Sequence, residues 1–174
     1  LLRLIAFQIG NEVSYQELGN QLGISKNTVE RYLDLLSKVF IIYRVQGFSR
    51  NLRKEITKNS KWYFYDNGIR NTLIANYNSL NLRNDTGALW ENYLISERIK
   101  YQNYSGMAVN NYFWRTYQQQ EIDWIEERGG QLYAHEIKWN VNKKSLPPGA
   151  WQEAYSKSKF MLVNPDNYLA WIGG

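Results

Sequence analysis

The chain has 174 residues, with 21 Lys and Arg against 16 Asp and Glu, a formal net charge of +5, one histidine and no cysteine. Disulfides, thiolate metal centres and multi-histidine zinc sites are therefore excluded, and no apolar run approaches the length that crosses a bilayer, so a cytoplasmic setting is expected. The positive balance favours an anionic partner without naming one, and the length suits one domain or two small ones.

The first nine residues are apolar at Leu1, Leu2, Leu4, Ile5, Phe7 and Ile9, which predicts a short buried helix ended by Gly10 and Asn11. Because the chain begins at Leu1, it is expected to be a fragment. Ser14 opens a second helix. Glu17 stands three residues on, as a capping box needs, and Gly23 closes the helix. Ser25 opens a third, in which Val29, Tyr32, Leu33, Leu35 and Leu36 recur at helical spacing. Two helices joined across Gly-Ile-Ser make a helix-turn-helix. Its second helix begins with Lys26, Asn27, Thr28 and Arg31, side chains that reach phosphates and base edges. Glu30 and Asp34 on the same helix work against that use, and the motif also serves protein packing.

Residues 39–45 and 61–65 are β-branched and aromatic and read as strands. The stretch between them carries Arg50, Arg53, Lys54 and Lys58 against one acid, Glu55. Strand, basic loop and strand after a helix-turn-helix make a winged helix over residues 1–66, and a basic wing suits a phosphate backbone. A solubilising loop is the alternative. Asp66 or Asn67 caps a short helix reaching residues 73–74, and residues 76–85 read as a loop.

Residues 87–100 form a helix with Ala88, Glu91, Ile95 and Ile99 on one face. Glu91 interrupts that apolar stripe, so it is paired, ligated or at an edge that reaches water. Residues 112–116 read as a strand. It leads into a hairpin over residues 121–139, turning at Gly129-Gly130. A two-residue turn sets Arg128 opposite Gln131, Asp123 opposite Glu136 and Glu121 opposite Lys138. All four polar residues then share one face with Ile125, Leu132 and Ala134, while His135 points to the other. A three-residue loop would break this arrangement, because register and face are tied together. Carboxylates beside an apolar patch need a counter-charge, from Lys138, from a divalent metal such as Mg²⁺, or from a raised pKa. A solvated face laced with salt bridges is the alternative. Residues 151–156 then read as a helix, and 160–163 and 168–172 as the last two strands.

Asp123, then a hairpin turn, then Glu136-x-Lys138 resembles the core of the PD-(D/E)xK nuclease-like superfamily, without the proline of that label. Over nearly its whole length the chain resembles the C-terminal region of bacterial and archaeal ATP-binding proteins that carry DUF4143. The matching stretches are SYQELGNQLGISKNTVERYLDLL, KWYFYDNG, GALWENYL and EIDWIEERGGQLYAHEIKW. The resemblance implies an α/β (α+β) fold: a winged helix-turn-helix at 1–66, then a restriction-endonuclease-like mixed-sheet domain at 67–174. It also implies an AAA-type ATPase domain upstream. No G-x-x-x-x-G-K-[ST] loop occurs in these 174 residues, so ATP is expected only through that upstream domain.

The resemblance further implies a site of Glu91, Asp123, Glu136 and Lys138, with Glu121 as an extra ligand. The carboxylates would hold Mg²⁺, and Lys138 would orient the attacking water or offset developing charge. Two functions stand open. One is a DNA-binding effector module of the ATPase with a Mg-dependent phosphodiester-cleaving site. The other is a non-catalytic module that packs on the ATPase domain or a partner protein.

Overall fold

The structure, a computed structural model, describes residues 1–50 and 60–173. Arg53, Lys54 and Lys58 lie outside the described residues. Seven strands and seven α-helices occur among those described, a mixed α/β fold. They fall into two compact units, residues 1–45 with 60–96, and 46–50 with 97–173.

The first unit begins with α1 (Leu2–Phe7) and a two-residue strand, β1 (Glu12–Val13). The helix-turn-helix follows as predicted. In α2 (Tyr15–Leu22) the Ser14 hydroxyl accepts the Glu17 N–H at 3.3 Å, and Gly23 closes the helix at φ 66°. In α3 (Lys26–Lys38) the Ser25 hydroxyl accepts the Thr28 N–H at 3.1 Å. Val29 and Leu33 turn inward, whereas Tyr32 and Leu35 stay exposed.

The next strand starts later than residue 39. Phe40 takes the left-handed φ of 58°, and the Ile41 N–H donates back to the Leu36 carbonyl at 3.1 Å. That closure of α3 uses up the β-branched start of the run, so β2 spans Ile42–Gly47. β3 (Ser60–Phe64) lies between β1 and β2, antiparallel to β1. The core here is Ile5, Leu18, Val29, Leu33, Ile42 and Phe64 with their neighbours.

Asp66 caps α4 (Asn67–Leu73), and a 3-10 turn at Leu80–Leu82 breaks the expected loop. Asp85 then gathers two arginines. Arg83 donates Nε–H to it at 2.8 Å, and Arg70 pairs with its other oxygen. The Arg83 hydrogen bond outweighs burial and, with Arg70, holds the Asp85 carboxyl far below the usual carboxylate range.

The long helix α5 (Thr86–Tyr104) starts in the first unit and ends in the second. The second unit is a sheet in the order β2-β4-β5-β6-β7, to which β2 gives Gln46 and Gly47. β4 (Asn110–Arg115) is parallel to β2 and antiparallel to β5 (Glu121–Arg128). β6 (Gln131–Ile137) returns antiparallel to β5, and β7 (Lys159–Val163) runs parallel to β6. β5 is buried on both faces from Ile122 to Glu126, as a central strand must be. One face packs Ile125, Leu132 and Ala134 against Trp151 and Tyr155, the former carried by α6 (Gly149–Ala154).

Residues 168–172 are a helix rather than the expected strand: α7 (Tyr168–Gly173). Asn167 stops the extended chain, donating from its side chain to the Leu162 carbonyl and accepting from the Asn164 N–H at 2.8 Å. The Tyr168 N–H then donates to the Asn164 carbonyl. Only Trp171 of this short helix is buried, while Leu169 faces water.

Candidate functional site

The hairpin positions the site. Gly129 and Gly130 sit at φ 55° and 74°, the left-handed pair that a two-residue turn requires. Arg128 pairs with Gln131 and Trp124 with His135, so Asp123 and Glu136 continue the same register. Asp123 is 4% exposed. Its Oδ2 accepts the Ile137 N–H at 2.8 Å, which fixes the carboxylate against the facing strand. Lys138 Nζ lies 2.6 Å from Glu136 Oε1 and 3.7 Å from Asp123 Oδ2.

Burial first, and the Asp123 charge second, push the Glu136 carboxyl above its ordinary value; Lys138 pulls the other way and does not prevail. Glu121 adds to the upward push, although Arg115 stands 3.8 Å from it. The cluster thus has more negative charge than Lys138 offsets, and a second cation is electrostatically welcome. Among the described residues of this unit no group of three or more Asp, Glu, His or Cys is arranged to hold a metal ion, and Asp123 and Glu136 are the two carboxylates that Lys138 joins. Two carboxylates suit Mg²⁺, which keeps several of its waters.

Glu91 belongs to the first unit. There the Tyr63 hydroxyl donates to its Oε1 at 2.7 Å. Gly10 passes closely over the same carboxylate: a Cβ on that glycine would stand 3.2 Å from Oε1. Of the proposed nucleic-acid contacts, Lys26, Asn27 and Arg31 are exposed on α3 and Thr28 is half-buried with its hydroxyl 2.9 Å from Ser25 Oγ. Arg50 pairs with Glu127 at 3.0 Å and still leaves much of its side chain in water.

The other face of the hairpin carries a buried polar network that the sequence reading passed over. Glu126 is fully buried and accepts from Arg98 Nε at 2.6 Å and Nη2 at 2.9 Å, and from Gln102 at 2.9 Å. Arg98 also donates to the Trp171 carbonyl. Burial opposes ionisation of Glu126 most strongly, yet the Arg98 hydrogen bonds and charge overcome it and hold the carboxyl below its ordinary value. His135 neighbours this network at 5% exposure. Burial, helped by the Arg98 and Arg128 charges and opposed by Glu126, pushes its pKa down to about 4. One signal was readable: Arg98 and Gln102 stand one helical turn apart, and Glu126 falls on the inward side of a strand already rich in apolar residues.

Comparison with known proteins returns two family models. Relatives include an uncharacterized protein of Mycobacterium bovis and one of Mycobacterium tuberculosis, each 29% identical over 138 residues, 78% of this chain and 30% of the relative. An uncharacterized protein of Haemophilus influenzae is 28% identical over 86 residues, 44% of this chain and 22% of the relative. The chain therefore spans under a third of the length of the curated relatives it matches. No solved structure matches it. Residues 1–86 match the domain of unknown function DUF8612, and residues 86–171, which carry the Asp123–Glu136–Lys138 cluster, match the domain of unknown function DUF4143.

Proposed function

We propose that the chain is a DNA-directed module of a larger ATP-binding protein, and that Asp123, Glu136 and Lys138 form a Mg-dependent phosphodiester-cleaving site. The observation that carries this reading is the over-acidic cluster in which Lys138 contacts both carboxylates and Glu136 is still pushed upward. Bound Mg²⁺ would polarise a phosphodiester oxygen and lower the pKa of a coordinated water. Asp123, held by the Ile137 N–H, offers a carboxylate in a fixed orientation. Glu136, 2.6 Å from Lys138 Nζ, would complete the carboxylate pair. Lys138 would offset the negative charge that grows on the phosphate. The helix-turn-helix supports the DNA half, through Lys26, Asn27, Thr28 and Arg31 at the start of α3. The resemblance to DUF4143 proteins supports an ATPase domain elsewhere in the same protein.

The test is calorimetric binding of Mg²⁺ or Mn²⁺, with and without a DNA duplex, to the chain and to Asp123→Ala and Glu136→Ala. Metal-dependent cleavage of the duplex is followed in parallel. Binding and cleavage that vanish in both variants would sustain the reading. No metal binding, even with duplex present, would end the cleavage half.

A second reading is a non-catalytic module that docks on the ATPase domain or a partner protein. Tyr32, Leu35, Val39 and Phe40 lie exposed on and just after α3, beside acidic Glu30 and Asp34. Salt-sensitive DNA binding by the chain, weakened by Arg31→Ala, would count against it.

A further inference from the structure

A cavity of about 540 Å³ opens in the second unit, bounded in part by Arg98, Arg128, Tyr133, His135, Lys159 and Trp171. Tyr133 and His135 alternate with Ala134 and Glu136 along β6, so the cavity lies on the face of the hairpin opposite the acidic cluster. Three observations mark it as a ligand site rather than a packing gap. Neither ring nitrogen of His135 has a hydrogen-bond partner among the described residues, although the residue is 5% exposed. The Trp171 Nε1–H, whose ring packs 5.2 Å from that of His135, is likewise buried and without a partner. At the other side two cations converge on one ring: Arg128 lies 4.1 Å and Lys159 5.3 Å from the Tyr133 centroid.

The acceptor nearest to hand is already committed. Glu126 takes its hydrogen bonds from Arg98, Gln102 and Trp124, and Arg128 Nε remains 3.5 Å from it without a hydrogen bond. The cavity is thus rich in positive charge and N–H donors and short of acceptors. Aromatic and thioether groups (Tyr101, Tyr133 and Met107) supply apolar surface beside them. Its volume is that of an ordinary small-molecule pocket.

We propose that this cavity binds a small organic anion, with a phosphate or carboxylate head at Arg128 and Lys159 and the rest of the ligand toward His135 and Trp171. Charge-assisted hydrogen bonds to the guanidinium and ammonium supply the affinity. The ligand also brings the acceptor that His135 and Trp171 lack. The site shares no side chain with Asp123, Glu136 and Lys138, so it stands or falls apart from cleavage.

His135 is the sole histidine, which makes its imidazole an unambiguous reporter. Its ring resonances are followed by NMR while the chain is titrated with adenosine 5′-monophosphate, with benzoate and with uncharged adenosine. Saturable shifts with the nucleotide assign a phosphate ligand, and saturable shifts with benzoate a carboxylate. Arg128→Ala and Lys159→Gln should each weaken the effective probe about tenfold, the worth of one charge-assisted contact. Lys159 is exposed, so its variant keeps the fold, and matching thermal unfolding checks this. The proposal is overturned if neither anion moves the His135 signals at millimolar concentration. It is equally overturned if adenosine binds as well as its monophosphate with no response to benzoate, or if Lys159→Gln leaves the affinity unchanged.

Discussion

Lys138 and Glu136 stand two residues apart on one face of the hairpin, 2.6 Å between ammonium and carboxylate, and the same ammonium is 3.7 Å from Asp123. One cation therefore serves two carboxylates. Lys138→Met should lower stability near neutral pH by roughly 1 kcal/mol, the modest figure expected of a partly exposed pair. Added Mg²⁺ should raise the melting temperature of this variant more than that of the parent. Thermal unfolding with and without the metal reads both effects, and equal metal responses would show that Lys138 does not neutralise the pair.

Glu136 gives a prediction with a definite sign. Its folded-state pKa lies above the ordinary value of 4.5, so the folded chain holds this proton more tightly than the unfolded chain does. The group's contribution favours the fold below that window and is lost as pH rises through it. Glu136→Gln, neutral throughout, should be the more stable form at pH 7, with the advantage shrinking on acidification toward 4.5. Urea denaturation across that range measures it. A variant less stable than the parent at pH 7 would mean that the Lys138 contact outweighs burial and repulsion.

The Arg98–Glu126 pair should behave in the opposite way. Both partners are buried, so removing one strands the other without water. Arg98→Met is expected to cost roughly 3–5 kcal/mol, and the double variant Arg98→Met with Glu126→Leu should recover much of that loss. A double-variant cycle by urea denaturation tests the coupling. Additive losses would show that the two residues act separately.

His135 predicts an acid-side loss of stability. Its pKa falls from 6.5 to about 4 on folding, so the unfolded chain takes up the proton first as pH drops. The contribution is complete above 6.5 and is lost progressively as pH falls through about 4. Its full size is about 3 kcal/mol. NMR titration of the single histidine reads the folded value directly. His135→Phe should flatten the stability profile in this window, and an unaltered profile would show that other groups carry the acid sensitivity.

Local chemistry made much of the molecule legible beforehand. Ser14, Ser25 and Asp66 cap their helices, and Gly129-Gly130 sets the hairpin register, because each acts on its own few residues. Asp123, Glu136 and Lys138 could be brought together on paper for the same reason: one turn and strand alternation decide their positions. Residues 168–172 misled because a short run of Tyr, Leu, Ala, Trp and Ile has the composition of a strand. The decision lay upstream, in the Asn164 and Asn167 hydrogen bonds that start a helix. The partners of Asp85 and Glu126 were hidden for a different reason. Arg70 reaches Asp85 from α4, and Arg98 reaches Glu126 from α5, across sequence gaps that no local pattern spans.

The two-glycine turn between β5 and β6 has an evolutionary consequence. One residue gained or lost there would turn one strand over relative to the other, separating Asp123 from Glu136 and bringing His135 to the layer that holds Trp151. Two residues gained together would leave every side chain on its own face. Length variation at this tip among descendants of the gene should therefore occur in even steps, with odd ones purged by selection.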